Sequence, residues 1–177
     1  MTRKLWAIRP APNFTNRLDE FLSNGMVAVG WPGVGDLGAG LTRQDIKERL
    51  RSTYEHYKKD ASSELGTAVG ILDRFANVLS EGDFILVPDG EDVYVCEVKG
   101  GYSYRPELDQ DTPDKGYPHW REVKFLKDGE PVCKAGELPL AVRRAIDCRL
   151  ALFAVTGGAA AMWKFLGLEP DEAALKD

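Results

Sequence analysis

The stretch from Asp83 to Tyr104, DFILVPDGEDVYVCEVKGGYSY, decides the class of fold because it reads as two paired strands. Two apolar runs flank Pro88, Asp89 and Gly90, residues that favour a tight turn between antiparallel strands. We therefore predict a β-hairpin here. In the first half of the chain, the spacing of apolar residues follows a different pattern.

Upstream of the hairpin, strands alternate with helices. KLWAIRP (4–10) alternates bulky and polar residues, which predicts a strand with Trp6 and Ile8 on one face. MVAVGW (26–31) predicts a second strand, buried on both faces. The spacing of apolar residues predicts helices at 13–25, 42–57 and 62–79.

Downstream, HWREVKFL (119–126) alternates again and predicts a strand with His119 and Arg121 on the same face. A short helix and a final apolar segment follow. Early strands separated by helices, then consecutive strands, indicate an α+β fold with a curved mixed sheet. Five or six strands are expected to close into a small barrel with helices packed around it.

Composition limits the function classes. The chain has 177 residues and a net charge of −5, which opposes a sequence-independent grip on polyanions. Three cysteines without C-x-x-C spacing and two histidines argue against a zinc site or a disulfide framework, and we expect no cofactor. Without an apolar run long enough to span a membrane, we expect a cytoplasmic protein.

The glycine-rich segment 30–40 contains five glycines but no Gly-Lys-Ser/Thr, so it is not a phosphate-binding P-loop. We interpret it as a flexible connection. Trp31 lies at its start, where its ring either covers the core or forms one wall of a pocket.

The segment that follows the hairpin suggests a function. Tyr102 and Tyr104 alternate onto one face, Arg105 follows them, and His119 and Arg121 begin the next strand. Aromatic rings beside guanidinium groups can stack on a nucleobase and bond its edge or phosphate. The alternative is structural: the tyrosines close one end of a barrel and Arg121 pairs with a carboxylate.

Four segments appear in an order that resembles a known module: LWAIRP, MVAVGWPGVGDL, RFANVLSEGDFILVPDGEDVYVCEVKGGYSY and YPHWREVKFL. The module is the N-terminal part of Mrr-type restriction-system proteins, which is similar to PUA-like and EVE-like domains. The resemblance spans about residues 4–153. Its most specific parts are Gly30-Trp31, Gly82-Asp83, Gly100 to Tyr102 and His119 to Val123.

This resemblance implies a PUA-like/EVE-like pseudobarrel over residues 1–155, with 156–177 as a C-terminal extension. It implies a module without catalytic residues that holds a modified, flipped or single-stranded base, in DNA, in a restriction or phage-defence setting. A separate nuclease or effector protein would then be its partner. The residues expected to line the base pocket are Trp31, Tyr102, Tyr104, Arg9, His119 and Arg121, and those expected to contact phosphate are Lys99 and Arg105.

Two other functions stay open at this point. The chain could be a receptor for a free nucleotide or another small ligand. It could also be a metal-dependent nuclease, since Glu97 and Lys99 form a Glu-x-Lys pair on a strand with Asp83 or Asp92 upstream.

Overall fold

The computed structural model describes residues 3–58 and 63–168, and it has an α+β architecture with helices on both faces of one mixed sheet. The strands are β1 (Leu5–Ile8), β2 (Met26–Val29), β3 (Phe84–Asp89), β4 (Asp92–Tyr104), β5 (His119–Phe125), β6 (Cys133–Lys134) and β7 (Leu152–Ala154). The helices are α1 (Leu18–Asn24), α2 (Arg43–Thr53), α3 (Glu55–Lys58), α4 (Ser63–Asp73), α5 (Leu140–Ile146) and α6 (Ala159–Phe165). A π-helical turn, Arg74–Val78, extends α4.

The sheet is open and has seven strands, where five or six strands closing on themselves were expected. Its order is β2-β5-β4-β3-β1-β7, and β6 pairs with the beginning of β4. Only β1 and β3 run parallel, and every other pair in the described chain is antiparallel. The α+β class is confirmed, and β2 and β7 form the two edges of the sheet.

The predicted hairpin is confirmed as β3 and β4. Their register runs from Phe84 opposite Glu97 to Asp89 opposite Asp92, which leaves Gly90 and Glu91 as a two-residue loop. Gly90 has φ of 60°, the left-handed conformation that such loops require at their first position. The hairpin therefore forms for the local reason seen in the sequence.

Alternation along the strands divides the buried residues between two cores. Ile85 and Val87 of β3 face the larger core with α1, α2 and α4, whereas Phe84 and Leu86 face a smaller core with α5 and α6. The smaller core, with α5 and α6, includes Val93 and Val95 from the first part of β4 but no residue of β5. On that side of the sheet, β5 and the end of β4 therefore lie outside the smaller core. This division positions the two candidate surfaces described below.

Local signals predicted several helix boundaries. α1 ends at Asn24, before Gly25, and the Thr42 side chain caps α2 in a reciprocal capping box with Asp45. Among residues 3–58 and 63–168, no helix has the length and apolar content needed to span a bilayer. The part of the predicted third helix at residue 62 lies outside the described residues.

Candidate functional site

A wide bulge separates β4 into two parts and creates the candidate site. Val98 pairs with Val123 and Tyr102 with Arg121, so the three residues 99–101 of β4 oppose Glu122 alone. Bulges change the direction of side chains and are common next to functional sites. After the bulge at residues 99–101, Tyr102 and Tyr104 face the larger core, while Ser103 faces the opposite side of the sheet.

Four predicted pocket residues converge on the larger-core side of β4 and β5. We call Trp31, Tyr102, Tyr104 and His119 the inner cluster. The Tyr102 and His119 rings stack with centroids 5.9 Å apart, and the Tyr104 ring lies 6.1 Å from His119. Trp31 follows β2, whose Val29 is paired with His119. The tryptophan and both tyrosines are partly exposed, whereas His119 is fully buried.

The glycine-rich segment, which the sequence led us to interpret as a flexible connection, packs against this cluster. The Leu37 amide donates to the Tyr102 hydroxyl at 3.0 Å, and the Gly33 amide donates to Asp109 Oδ1 at 2.6 Å. The Tyr104 hydroxyl donates to the second oxygen of Asp109. These bonds attach the segment to the end of β4 and bring a carboxylate to the rings.

Trp31 is held in an unusual backbone conformation. Its φ is 59°, a left-handed value that a non-glycine residue adopts only when its surroundings impose it. A Cβ at the preceding Gly30 would lie 2.7 Å from the Asn13 amide nitrogen, so only glycine fits there. The indole nitrogen of Trp31 reaches the Tyr57 hydroxyl at 3.5 Å. Close packing around Gly30 thus fixes the direction of the Trp31 ring.

His119 is neutral at physiological pH. Burial lowers the pKa of this imidazole from its usual 6.5 to about 4, against the opposing effects of Asp109, the Trp31 backbone and Asp36. The Tyr102 hydroxyl lies 2.7 Å from Nδ1, within hydrogen-bond distance, and also accepts the Leu37 amide. The other ring nitrogen, Nε2, is buried and has no hydrogen-bond partner within the described chain.

Two carboxylates give the inner cluster a negative character. Burial first, and Asp109 and Asp36 in addition, raise the pKa of Tyr102, and burial together with Asp109 raises the pKa of Tyr104 to about 12. The ion pairs formed between described residues use other carboxylates, namely Glu20, Glu55, Asp73, Asp92 and Glu97. Asp109 and Asp36 form no ion pair with another described residue.

The other residues predicted to bind a base or phosphate are not part of the inner cluster. They are Arg121, Arg9, Lys99 and Arg105. Arg121 is buried beside it, and its guanidinium donates to the Gly100 and Phe75 carbonyls at 3.1 and 3.0 Å. Burial lowers its pKa, while Asp83 and Glu81 oppose that effect. Both bonds tie the bulge to the π-helical turn, so we assign Arg121 a structural role.

Arg9 lies elsewhere on the molecule. It follows β1, which β3 and β4 separate from β5, and it donates to the Arg149 carbonyl at 3.1 Å. Lys99 lies in the bulge and forms an ion pair of 2.6 Å with Glu97. Arg105, the other predicted phosphate contact, is exposed and lies over the Trp120 ring at 4.6 Å.

Trp120 was not among the residues that the sequence predicted to line a pocket. It lines a groove of about 470 Å³ on the side of β4 and β5 that faces away from the inner cluster. We call this the outer groove; its lining residues are Asn24, Gly25, Met26, Gly100, Gly101, Ser103, Arg105, Trp120, Glu122 and Val123. The available signal was the alternation in β5, which directs Trp120 away from the core.

The residues suggested for a nuclease do not assemble. The Asp83 carboxylate accepts hydrogen bonds from the Lys4 amide, the Trp6 indole and the Ser80 amide, at 2.9 to 3.1 Å. It is buried on the larger-core side with Trp6, while Glu97 alternates to the other side of β4. Within the described residues no group of three or more metal-ligating side chains comes together. The geometry assigns Asp83 to the packing of β1 and β3.

Comparison with known proteins identifies a family for this chain. A family model described as domain of unknown function DUF8426 matches residues 6–138. The chain belongs to this family. The matched range contains the inner cluster and the outer groove, and it ends before α5. No curated protein and no solved structure matches the chain significantly.

Proposed function

We propose that this chain is a non-catalytic module that binds nucleic acid and holds one modified base, in DNA, against the inner cluster. The observation that carries the proposal is the convergence of Trp31, Tyr102, Tyr104 and His119, which come from three separate parts of the chain. Kinship with PUA-like and EVE-like modules, pseudobarrel included, is part of the proposal, and the order of sequence motifs supports it.

Stacking supplies the binding free energy in this proposal. A base that stacks on an aromatic side chain gains about 1–3 kcal/mol, which is comparable with the few kcal/mol needed to unstack a base from a duplex. Trp31, Tyr102 and Tyr104 are partly exposed, so their rings are available for such a contact. A base in a single strand, or one that is poorly paired in a duplex, needs less free energy to be unstacked, so it should bind more tightly.

The carboxylates narrow the class of base. Asp109 and Asp36 already accept hydrogen bonds from the protein, and each carboxylate oxygen can accept a second one, so they favour a base that presents an exocyclic amino group, as cytosine and adenine do. The same charges repel phosphates from the immediate surroundings of the rings. The strand would therefore place its base, and not its backbone, at the inner cluster.

Titration with short labelled oligonucleotides at low salt tests the proposal. Single- and double-stranded forms would carry plain cytosine, 5-methylcytosine, 5-hydroxymethylcytosine or N6-methyladenine. We expect at least one modified form to bind in the micromolar range or better. Replacing Trp31 or Tyr104 with alanine should remove about 1–3 kcal/mol of that binding.

Tyr94→Ala is the matched control, because Tyr94 is a partly buried tyrosine in the first part of β4, away from the inner cluster. It should leave binding unchanged. Binding weaker than millimolar for all oligonucleotides would refute the proposal. Saturable thermal stabilisation by mononucleotides, without any by oligonucleotides, would instead select the free-nucleotide receptor.

A further inference from the structure

We propose that the outer groove is a second nucleotide site, which packs a base against Trp120 and the Arg105 guanidinium and binds its phosphate through Arg105. This site goes beyond the inner cluster and does not depend on it. Trp120 and Ser103 alternate with His119, Tyr102 and Tyr104 along paired strands, so the two sites lie on opposite sides of β4 and β5.

The shape of the outer groove suits a small planar ligand. Its volume of about 470 Å³ is within the range of ligand sites, roughly 300–1,000 Å³. Gly25, Gly100 and Gly101 form part of its lining, so backbone atoms instead of side chains border the space. A Cβ at Gly101 would meet no atom within 4 Å. A flat molecule can therefore approach the bulge closely.

Trp120 is fixed in place before any ligand arrives. It stacks nearly parallel on Tyr117, with centroids 6.3 Å apart and planes 11° apart, and its indole donates to the Tyr117 carbonyl at 2.8 Å. The Arg17 guanidinium lies over the Tyr117 ring at 4.5 Å and donates to the Pro113 carbonyl. A rigid ring loses little conformational entropy when a base stacks beside it.

Arg105 contacts Trp120 and retains free hydrogen-bond donors. Its guanidinium lies over Trp120 at 4.6 Å, and within the described chain it makes no hydrogen bond or ion pair. Bases stack on guanidinium planes, and the same group binds phosphate with two parallel hydrogen bonds. Arg105 can therefore contact the base and the phosphate of one nucleotide.

Polar side chains complete the lining with groups for a base edge. Asn24 offers an amide, Ser103 a hydroxyl and Glu122 a carboxylate, which together supply donors and acceptors. Glu122 and Arg105 are the charged side chains that line the groove, so its charge is balanced. This contrasts with the acidic inner cluster and permits a phosphate next to Arg105.

The experiment measures binding of adenosine monophosphate, adenosine and a short adenine oligonucleotide to the full chain. We expect Gly101→Val to fill the space beside Trp120 and to weaken all three by about five- to 150-fold, the equivalent of one lost stacking contact. Gly136→Val is the control, since Gly136 also has open space around it but lies outside the groove. Valine is a good strand residue, so Gly101→Val should remain folded.

Three further results decide the proposal. Arg105→Gln should reduce the affinity for adenosine monophosphate to that for adenosine, and the Trp120 indole N–H resonance should shift on titration. Tyr104→Ala should leave these effects intact, which separates this site from the inner cluster. Preference for the oligonucleotide over the mononucleotide identifies nucleic acid as the source of the nucleotide. Unchanged binding in Gly101→Val, or no binding by the native chain, would overturn the second site.

Discussion

Acidification should lower the free energy of unfolding of this protein through His119. The pKa of its buried imidazole is lowered from 6.5 to about 4, so the folded chain stays unprotonated where the unfolded chain takes up a proton. Stability therefore rises with pH through this window. The part of the free energy of unfolding that depends on a neutral His119 is fully present above about pH 6.5 and is lost as the pH falls towards 4.

The size of the effect follows from the two pKa values. Between about pH 7 and pH 5, the uptake of one proton by the unfolded state alone lowers the free energy of unfolding by about 2 kcal/mol.

Urea denaturation at a series of pH values measures this slope. His119→Gln should flatten it between about pH 7 and pH 5, whatever the absolute stability of the variant. His56→Gln is the control, because His56 is the chain's other histidine and is exposed. A slope that persists in His119→Gln, or that disappears in His56→Gln, would refute the assignment to His119.

Two more substitutions test the structural roles found around the site. Asp83→Asn replaces an acceptor of three N–H donors with a group that itself carries donors, so it should lower the free energy of unfolding by about 1–3 kcal/mol in urea denaturation. Asp92→Asn, which alters only a partly exposed ion pair with Lys134, should cost less than about 1 kcal/mol. Arg121→Lys leaves a buried carbonyl without its donor and should also cost about 1–3 kcal/mol, with oligonucleotide affinity retained in the folded fraction. Unchanged stability with lost affinity would instead identify Arg121 as a ligand contact.

Local pattern was sufficient for much of the fold. The Gly90 turn, the Thr42 cap and the alternation in β5 each depend on residues close together in the chain, and the structure contains all three. The order of the strands had no such signal. β1 lies between β3 and β7, partners that are distant in sequence, so the open seven-stranded sheet differs from the five- or six-stranded barrel expected.

The same distinction applies to the candidate site. Alternation by itself predicted that His119 and Arg121 share one face of β5 and that Trp120 lies on the other, because side-chain direction along a strand is a local property. Only the tertiary structure decided that Arg121 is committed to two carbonyls and that Trp120 borders an open groove. What fills the space beside a side chain depends on segments that are remote in the chain, and no local pattern contains that information.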